Sequence, residues 1–156
     1  MAAGATHVFG GFQKTNLAAL WAAADVIKMG IVTNAQVPSI NDTDPRWGAG
    51  GSTNFATSEV TPGGNYGAGG ITVTAPTASQ STAVVSLNCT SPISLASNAA
   101  NPTGAYWGIF YDSTDANKRA IGFMDLGGSL SLVPGLQINV NGVSSGTQPI
   151  FQGTAT

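Results

Sequence analysis

The chain has 156 residues, and only 12 of them are charged, about a third of the charged fraction of ordinary soluble domains. Five basic residues and a net charge of -2 cannot neutralise a track of phosphates, so the composition argues against nucleic-acid binding. One cysteine and one histidine cannot build a zinc site or a disulfide framework. The length fits one domain with a core of its own.

The N-terminal region divides into an arm and a helix. Residues 1–14 are mainly small or polar and include two aromatic residues, Phe9 and Phe12, which predicts an extended arm without the features of a signal peptide. After a possible N-cap at residues 15–16, apolar side chains recur at helical spacing, and the helix should end near Asp25. The residues that carry this spacing are Leu17, Leu20, Trp21 and Ala24.

The remainder of the chain has the alternation of β-strands, interrupted by one long loop. Residues 27–31 predict a half-buried strand, and residues 34–57 show no periodicity and predict a loop. Later strands are predicted within residues 71–74, 83–89, 105–112, 119–126 and 136–140, with turns at Gly127-Gly128 and Pro134-Gly135. No stretch of about 20 residues is continuously apolar, so no membrane-spanning helix is expected.

This pattern predicts a mainly β fold, an antiparallel β-sandwich of jelly-roll or Ig-like type with one N-terminal helix. The domain should cover residues 15–141. Residues 142–156 should form a second arm around Ile150 and Phe151.

Candidate catalytic and ligand-binding groups are sparse. His7 lies in the predicted arm with no partner near it in sequence, and Cys89 falls on the inward phase of its strand, where a thiol is inert. The glycine run at residues 63–70 precedes a strand and not a helix, which argues against a phosphate cradle. The acids near residues 42–44 and 112–117 lack the glutamate and spacing of a calcium loop. We therefore predict no catalytic residue, cofactor or metal.

Aromatic residues outside the regular pattern are the stronger signal. Trp47 lies beside Arg46 in the long loop, and Tyr66 lies in the glycine run, so both are expected to be exposed. Tyr106 and Phe110 occupy the second face of their strand, where either core filling or an interface explains them. A sugar stacked on Trp47 or Tyr66 is a competing interpretation.

The outward strand faces lack charge, which a free monomer normally needs for solubility and to protect its sheet edges. A domain covered by neighbouring subunits has no such need. We therefore expect an interface, and the residues assigned to it are Phe9, Phe12, Arg46, Trp47, Phe55, Tyr66, Tyr106, Phe110, Ile150 and Phe151.

Several stretches are similar to small structural proteins of tailed-bacteriophage virions. They are the Leu-Ala-Ala-Leu-Trp helix that runs into residues 27–33, Glu59-Val60 ahead of residues 65–73, and the strands at 105–112 and 136–140. The resemblance implies a β-sandwich accessory protein with no catalytic residues. Head decoration (a cement protein on the outer capsid surface) is the first expectation, and a neck, tail or fibre accessory is the second.

The resemblance also implies partners and a location. The partners would be the major capsid protein and copies of the chain itself, as a trimer, on virions made in the host cytoplasm. Two hypotheses of other classes remain: a carbohydrate-binding module of an adhesin, which binds host-surface glycans, and an enzyme, which would rest only on His7 and scattered acids.

Overall fold

The computed structural model describes residues 6–8, 25–81, 84–89, 91–138 and 151–154. It is mainly β, as predicted, and its sheets are antiparallel except for one short pair. In chain order the strands are β1 (Thr6–Val8), β2 (Ile27–Val32), β3 (Pro45–Arg46), β4 (Thr53–Asn54), β5 (Ile71–Thr72), β6 (Pro76–Ser81), β7 (Val84–Cys89), β8 (Ile93–Leu95), β9 (Ala105–Asp112), β10 (Ala120–Leu130), β11 (Leu136–Ile138) and β12 (Phe151–Thr154).

Helix is nearly absent from the described residues, where the one helix is a 3-10 turn at Phe55–Ser58. The helix predicted before Asp25 lies outside these residues. No helix in the described part of the chain has the length and apolar character to cross a membrane.

Five strands form the central sheet in the order β1-β10-β9-β2-β5. β9 and β10 overlap two of the predicted strand segments, are joined by residues 113–119 and pair antiparallel as a hairpin. The other antiparallel sheets are β12-β7-β6 and β11-β8, and β3 and β4 form the parallel pair within the long loop.

β2 is buried on both faces, so the prediction of a half-buried strand is wrong. Lys28 is the one residue of β2 that is not fully buried. The second face is covered because the long loop folds back over it. The indole of Trp47 lies on Gly30, where an added Cβ would be 2.2 Å from the indole Cη2. The same indole stacks on the ring of Tyr111, with centroids 4.9 Å apart and planes 7° from parallel.

Of the two predicted glycine turns, one is wrong and one is confirmed. Gly127 and Gly128 do not end a strand, because they lie within the 11-residue β10. Their φ angles of 90° and 114° accompany a break in register between Asp125 and Leu130, so the pair forms a bulge. The predicted turn at Pro134-Gly135 is present, with a positive φ of 93° at Gly135 and a hydrogen bond from its amide to the carbonyl of Leu132.

Short segments near both termini pair with the chain's own sheets. Thr6–Val8 adds to the edge of β10, and Phe151–Thr154 adds to β7. At these residues the expected arms are strands, and β1 and β12 lie in contact with each other.

We expect Gly30→Ala to lower the free energy of unfolding by about 1–3 kcal/mol, because the new methyl group would overlap the Trp47 indole. Urea denaturation would measure this. Gly67→Ala is the matched control, since a Cβ there meets nothing within 4 Å, and it should change stability by less than about 0.5 kcal/mol. Equal effects of the two substitutions would contradict the assigned packing.

Candidate interaction surface

Four of the aromatic residues assigned to an interface are core residues of the isolated chain. The exposed fractions are 5% for Trp47, 0% for Phe55, 2% for Tyr66 and 0% for Phe110. The expectation that Trp47 and Tyr66 are exposed is therefore wrong, and neither ring is free for a sugar to stack on. The physical reason is that the loops carrying them fold over the central sheet.

The other assigned residues are distributed differently. Arg46 and Tyr106 are partly exposed. Phe151 begins β12, whereas Phe9, Phe12 and Ile150 lie outside the described residues.

The Tyr66 hydroxyl completes the outer edge of β2. It accepts a hydrogen bond from the Ile31 amide at 2.8 Å and donates to Glu59 Oε1 at 2.9 Å. The same Oε1 accepts from the Gly69 amide at 2.7 Å. Burial raises the pKa of Tyr66 well above its usual value, and the bond to Ile31 only partly offsets this. The hydroxyl therefore stays neutral and serves as both donor and acceptor.

The glycine run is held against the loop that follows β8. The buried side chain of Asn101 accepts from the Asn65 amide at 2.8 Å and donates to the carbonyls of Ala96 and Leu132 at 2.9 and 2.8 Å. Gly64 has φ +59° and lies so close that an added Cβ would be 2.5 Å from Asn101 Oδ1. Asn101 therefore fixes the position of the loop between β8 and β9 and of the turn before β11.

Most charged residues of the described part gather at one end of the central sheet, where β2 begins, β9 ends and β10 begins. We call this the charged end, and it comprises Asp25, Lys28, Asp44, Arg46, Asp112, Asp115, Lys118 and Arg119.

Two ion pairs and several hydrogen bonds join charged residues at this end. Arg46 bonds Asp44 at 2.7 Å and reaches Asn117 Oδ1 of the β9–β10 hairpin at 2.9 Å. Arg119 pairs with Asp115. Burial opposes ionisation of Asp115 and is the largest single effect, but the hydrogen bonds from Arg119 and the Asn117 amide and the charge of Arg119 together outweigh it, so the pKa of Asp115 is lowered. The charged end thus ties the long loop to the hairpin.

The smaller antiparallel sheets differ from the charged end in that their strands carry no charge. No residue of β6, β7, β8, β11 or β12 is charged. Ser94 and Gln137 form a cross-strand pair on β8 and β11, and both are exposed. Beside them runs a shallow groove of about 300 Å³, lined by residues 94–96 and 134–137. This uncharged groove is the candidate interaction surface.

Exposed apolar side chains occur in the loop after β2, and the sequence reasoning missed them. Val37 is 58% exposed and Ile40 51%. The signal available was two branched apolar residues around Pro38 in a segment without periodicity. Such residues have no strand or helix face through which to reach the core.

The cysteine and the histidine both lie on strands. Cys89 is buried, as predicted, its thiol donates to the Ser91 carbonyl, and burial raises its pKa. His7 lies on β1 opposite Phe123. Within the described residues, no three His, Cys, Asp or Glu side chains converge on a position for a metal ion.

Comparisons with models of known protein families, with curated proteins and with solved structures found no match to this chain.

We expect Tyr66→Phe to lower the free energy of unfolding by about 1–3 kcal/mol, because it leaves the buried Ile31 amide without its acceptor. Urea denaturation and hydrogen exchange at Ile31 would measure the loss. Tyr106→Phe removes the same atom from a partly exposed ring and should be close to neutral. If the two variants are equally stable, the Tyr66 hydroxyl does not support the sheet edge.

The stability contributed by Asp115 should depend on pH. Because its pKa is lowered in the folded state, its contribution is present above the unfolded-state value of about 3.9 and is lost as the pH falls through the folded-state value. Asp115→Asn should cost about 0.2–1 kcal/mol at pH 7. That difference should close in acid and should be smaller in an Arg119→Gln background. A difference that is constant down to unfolding in acid would be inconsistent with the pairing.

Proposed function

We propose that this chain is a structural protein of a tailed-bacteriophage virion, a head-decoration protein that binds the outer capsid surface. Its partners are the major capsid protein and further copies of the chain. Neck, tail or fibre placement is the alternative within the same class.

The segregation of charge is the observation that carries this proposal. The charged end holds the ion pairs Arg46–Asp44 and Arg119–Asp115, whereas the strands β6, β7, β8, β11 and β12 are uncharged. Monomers usually protect sheet edges with charge. Uncharged edges suit a surface that a partner covers, because no ion has to be desolvated when the contact forms.

We further propose that the sheets pack face to face as a β-sandwich. In support, one core cluster takes buried residues from several sheets. Ile31, Ile109 and Phe123 come from the central sheet, Leu87 from β7 and Ile93 from β8.

The resemblance to virion proteins falls on structurally central segments. Residues 27–33, 65–73 and 105–112 include the adjacent strands β2, β5 and β9, and residues 136–140 include β11 beside the groove. The stretches that support the proposal therefore belong to the sheet framework and to the candidate surface.

The mechanism is burial of additional surface across neighbouring capsid subunits. A specific contact of this kind buries about 1,000–1,600 Å². Each copy then raises the free energy needed to separate the subunits beneath it and so resists internal pressure. Since the proposed surface is neutral, salt should not weaken binding as it weakens contacts between exposed charges.

The test is binding of the purified chain to undecorated phage heads, measured by cosedimentation at low and high salt. We expect saturable binding in hundreds of copies, little changed by salt. Gln137→Glu should weaken it at least about tenfold, because the carboxylate would be desolvated in the contact. Thr43→Glu, a matched exposed substitution in the loop that leads to the charged end, should bind normally.

Each other outcome has a definite meaning. About a dozen copies per particle would place the protein at the neck or tail. Equal losses from Gln137→Glu and Thr43→Glu would remove the groove from the interface. Absence of the protein from heads, necks and tails alike would overturn the proposed function.

A further inference from the structure

Trp107 differs from Trp47 in that its indole reaches the surface. It lies on β9 and is partly exposed, whereas Trp47 is 5% exposed. The Trp107 ring packs edge-to-face with Phe123, with centroids 6.1 Å apart and planes at 76°. Its Nε1–H donates to Asn34 Oδ1 at 3.4 Å. The indole is therefore held in place by the fold and does not rely on a partner for its position.

Polar groups from two other segments flank this ring. Asp125 of β10 lies directly opposite Trp107, so both side chains project from the same face of the sheet. One carboxylate oxygen of Asp125 accepts from the Gly127 amide at 2.8 Å, and a carboxylate has further lone pairs to offer. Asn34, two residues beyond the end of β2, is exposed and adds a carboxamide that can donate and accept.

An aromatic ring between a carboxylate and a carboxamide has the chemistry to bind a sugar. The weakly positive C–H groups on one face of a pyranose pack against the negative face of an indole. The hydroxyl groups at the ring edge donate to a carboxylate in strong, charge-assisted bonds. A few convergent polar groups around an apolar contact are the usual composition of a small-molecule site.

We propose that Trp107, Asn34 and Asp125 form a binding subsite for a neutral pyranose. The negative charge of Asp125 disfavours acidic sugars such as sialic acid, since two carboxylates would repel at close range. This subsite is independent of the proposed capsid contact, because it lies on the central sheet and not on the β8–β11 groove. It also replaces Trp47 and Tyr66 as stacking positions.

The experiment follows the indole N–H signal of Trp107 by NMR in the full-length chain. Trp107→Phe identifies that signal. The probes are methyl β-galactopyranoside, methyl β-glucopyranoside and sialic acid. Each is titrated to a concentration of about 10 mM, which is ten times a Kd of about 1 mM. We expect saturable shifts with at least one neutral sugar and none with sialic acid.

Variants separate the subsite from unspecific effects. Saturation-transfer NMR on the sugar reports binding when the indole is absent. Trp107→Leu should abolish the transfer, and Asp125→Asn should weaken binding of the neutral sugar about fivefold or more. Tyr106→Leu is the control, because Tyr106 is the preceding residue of the same strand and faces the opposite side. Circular dichroism establishes that each variant is folded.

The proposal is overturned if neither neutral sugar shifts the Trp107 signal. It is also overturned if sialic acid binds as well as the neutral sugars, or if transfer persists in folded Trp107→Leu protein. Equal losses from Trp107→Leu and Tyr106→Leu would show an effect of the strand rather than of the subsite.

Discussion

The hydrogen bond between the Ile31 amide and the buried hydroxyl of Tyr66 completes a sheet edge that no full strand covers. β5 pairs with only two residues of β2. Beyond that point the backbone groups at the edge of β2 form hydrogen bonds with separate partners, namely the Tyr66 hydroxyl and the backbone of residues 58–60. Because buried backbone groups without partners cost about 1–3 kcal/mol each, the glycine run has to approach closely. Gly70 allows this, since an added Cβ would lie 2.2 Å from the Met29 carbonyl oxygen.

A second constraint acts on the other face of the same strand. Gly30 has no side chain, and the Trp47 indole fills that space while it stacks on Tyr111. The long loop is therefore a cover for the central sheet. The loop buries Trp47 and Phe55, while its residues Val37 and Ile40 stay exposed. At the charged end, Arg46 joins the loop to the hairpin and Arg119 pairs with Asp115 within the hairpin.

The fold carries two candidate binding surfaces of different chemistry. The β8–β11 groove is uncharged and shallow, which suits a broad protein contact. The Trp107 position combines one ordered aromatic ring with a carboxylate and an amide, which suits a small hydroxylated ligand. Both surfaces depend on sheet register. A shift of one residue would move Asp125 away from Trp107 and Gln137 away from Ser94.

The sequence by itself determined where several of the strands lie. Alternation located β2, β5, β7 and β11 and the inward position of Cys89, because a strand repeats every two residues and the core selects one side. β9 was located by apolar residues on both of its faces, with β10 after it. The sequence did not predict β6 or β8, nor the burial of β2 on both faces. It did not determine which loop covers which face. The local sequence pattern predicts that Trp47 and Tyr66 are exposed. In the structure both are buried, because they contact Gly30 and Ile31, which are distant from them in sequence. Of the two tryptophans in the described residues, tertiary structure alone decided that Trp107 is the partly exposed one, since burial depends on packing between segments and packing has no local period.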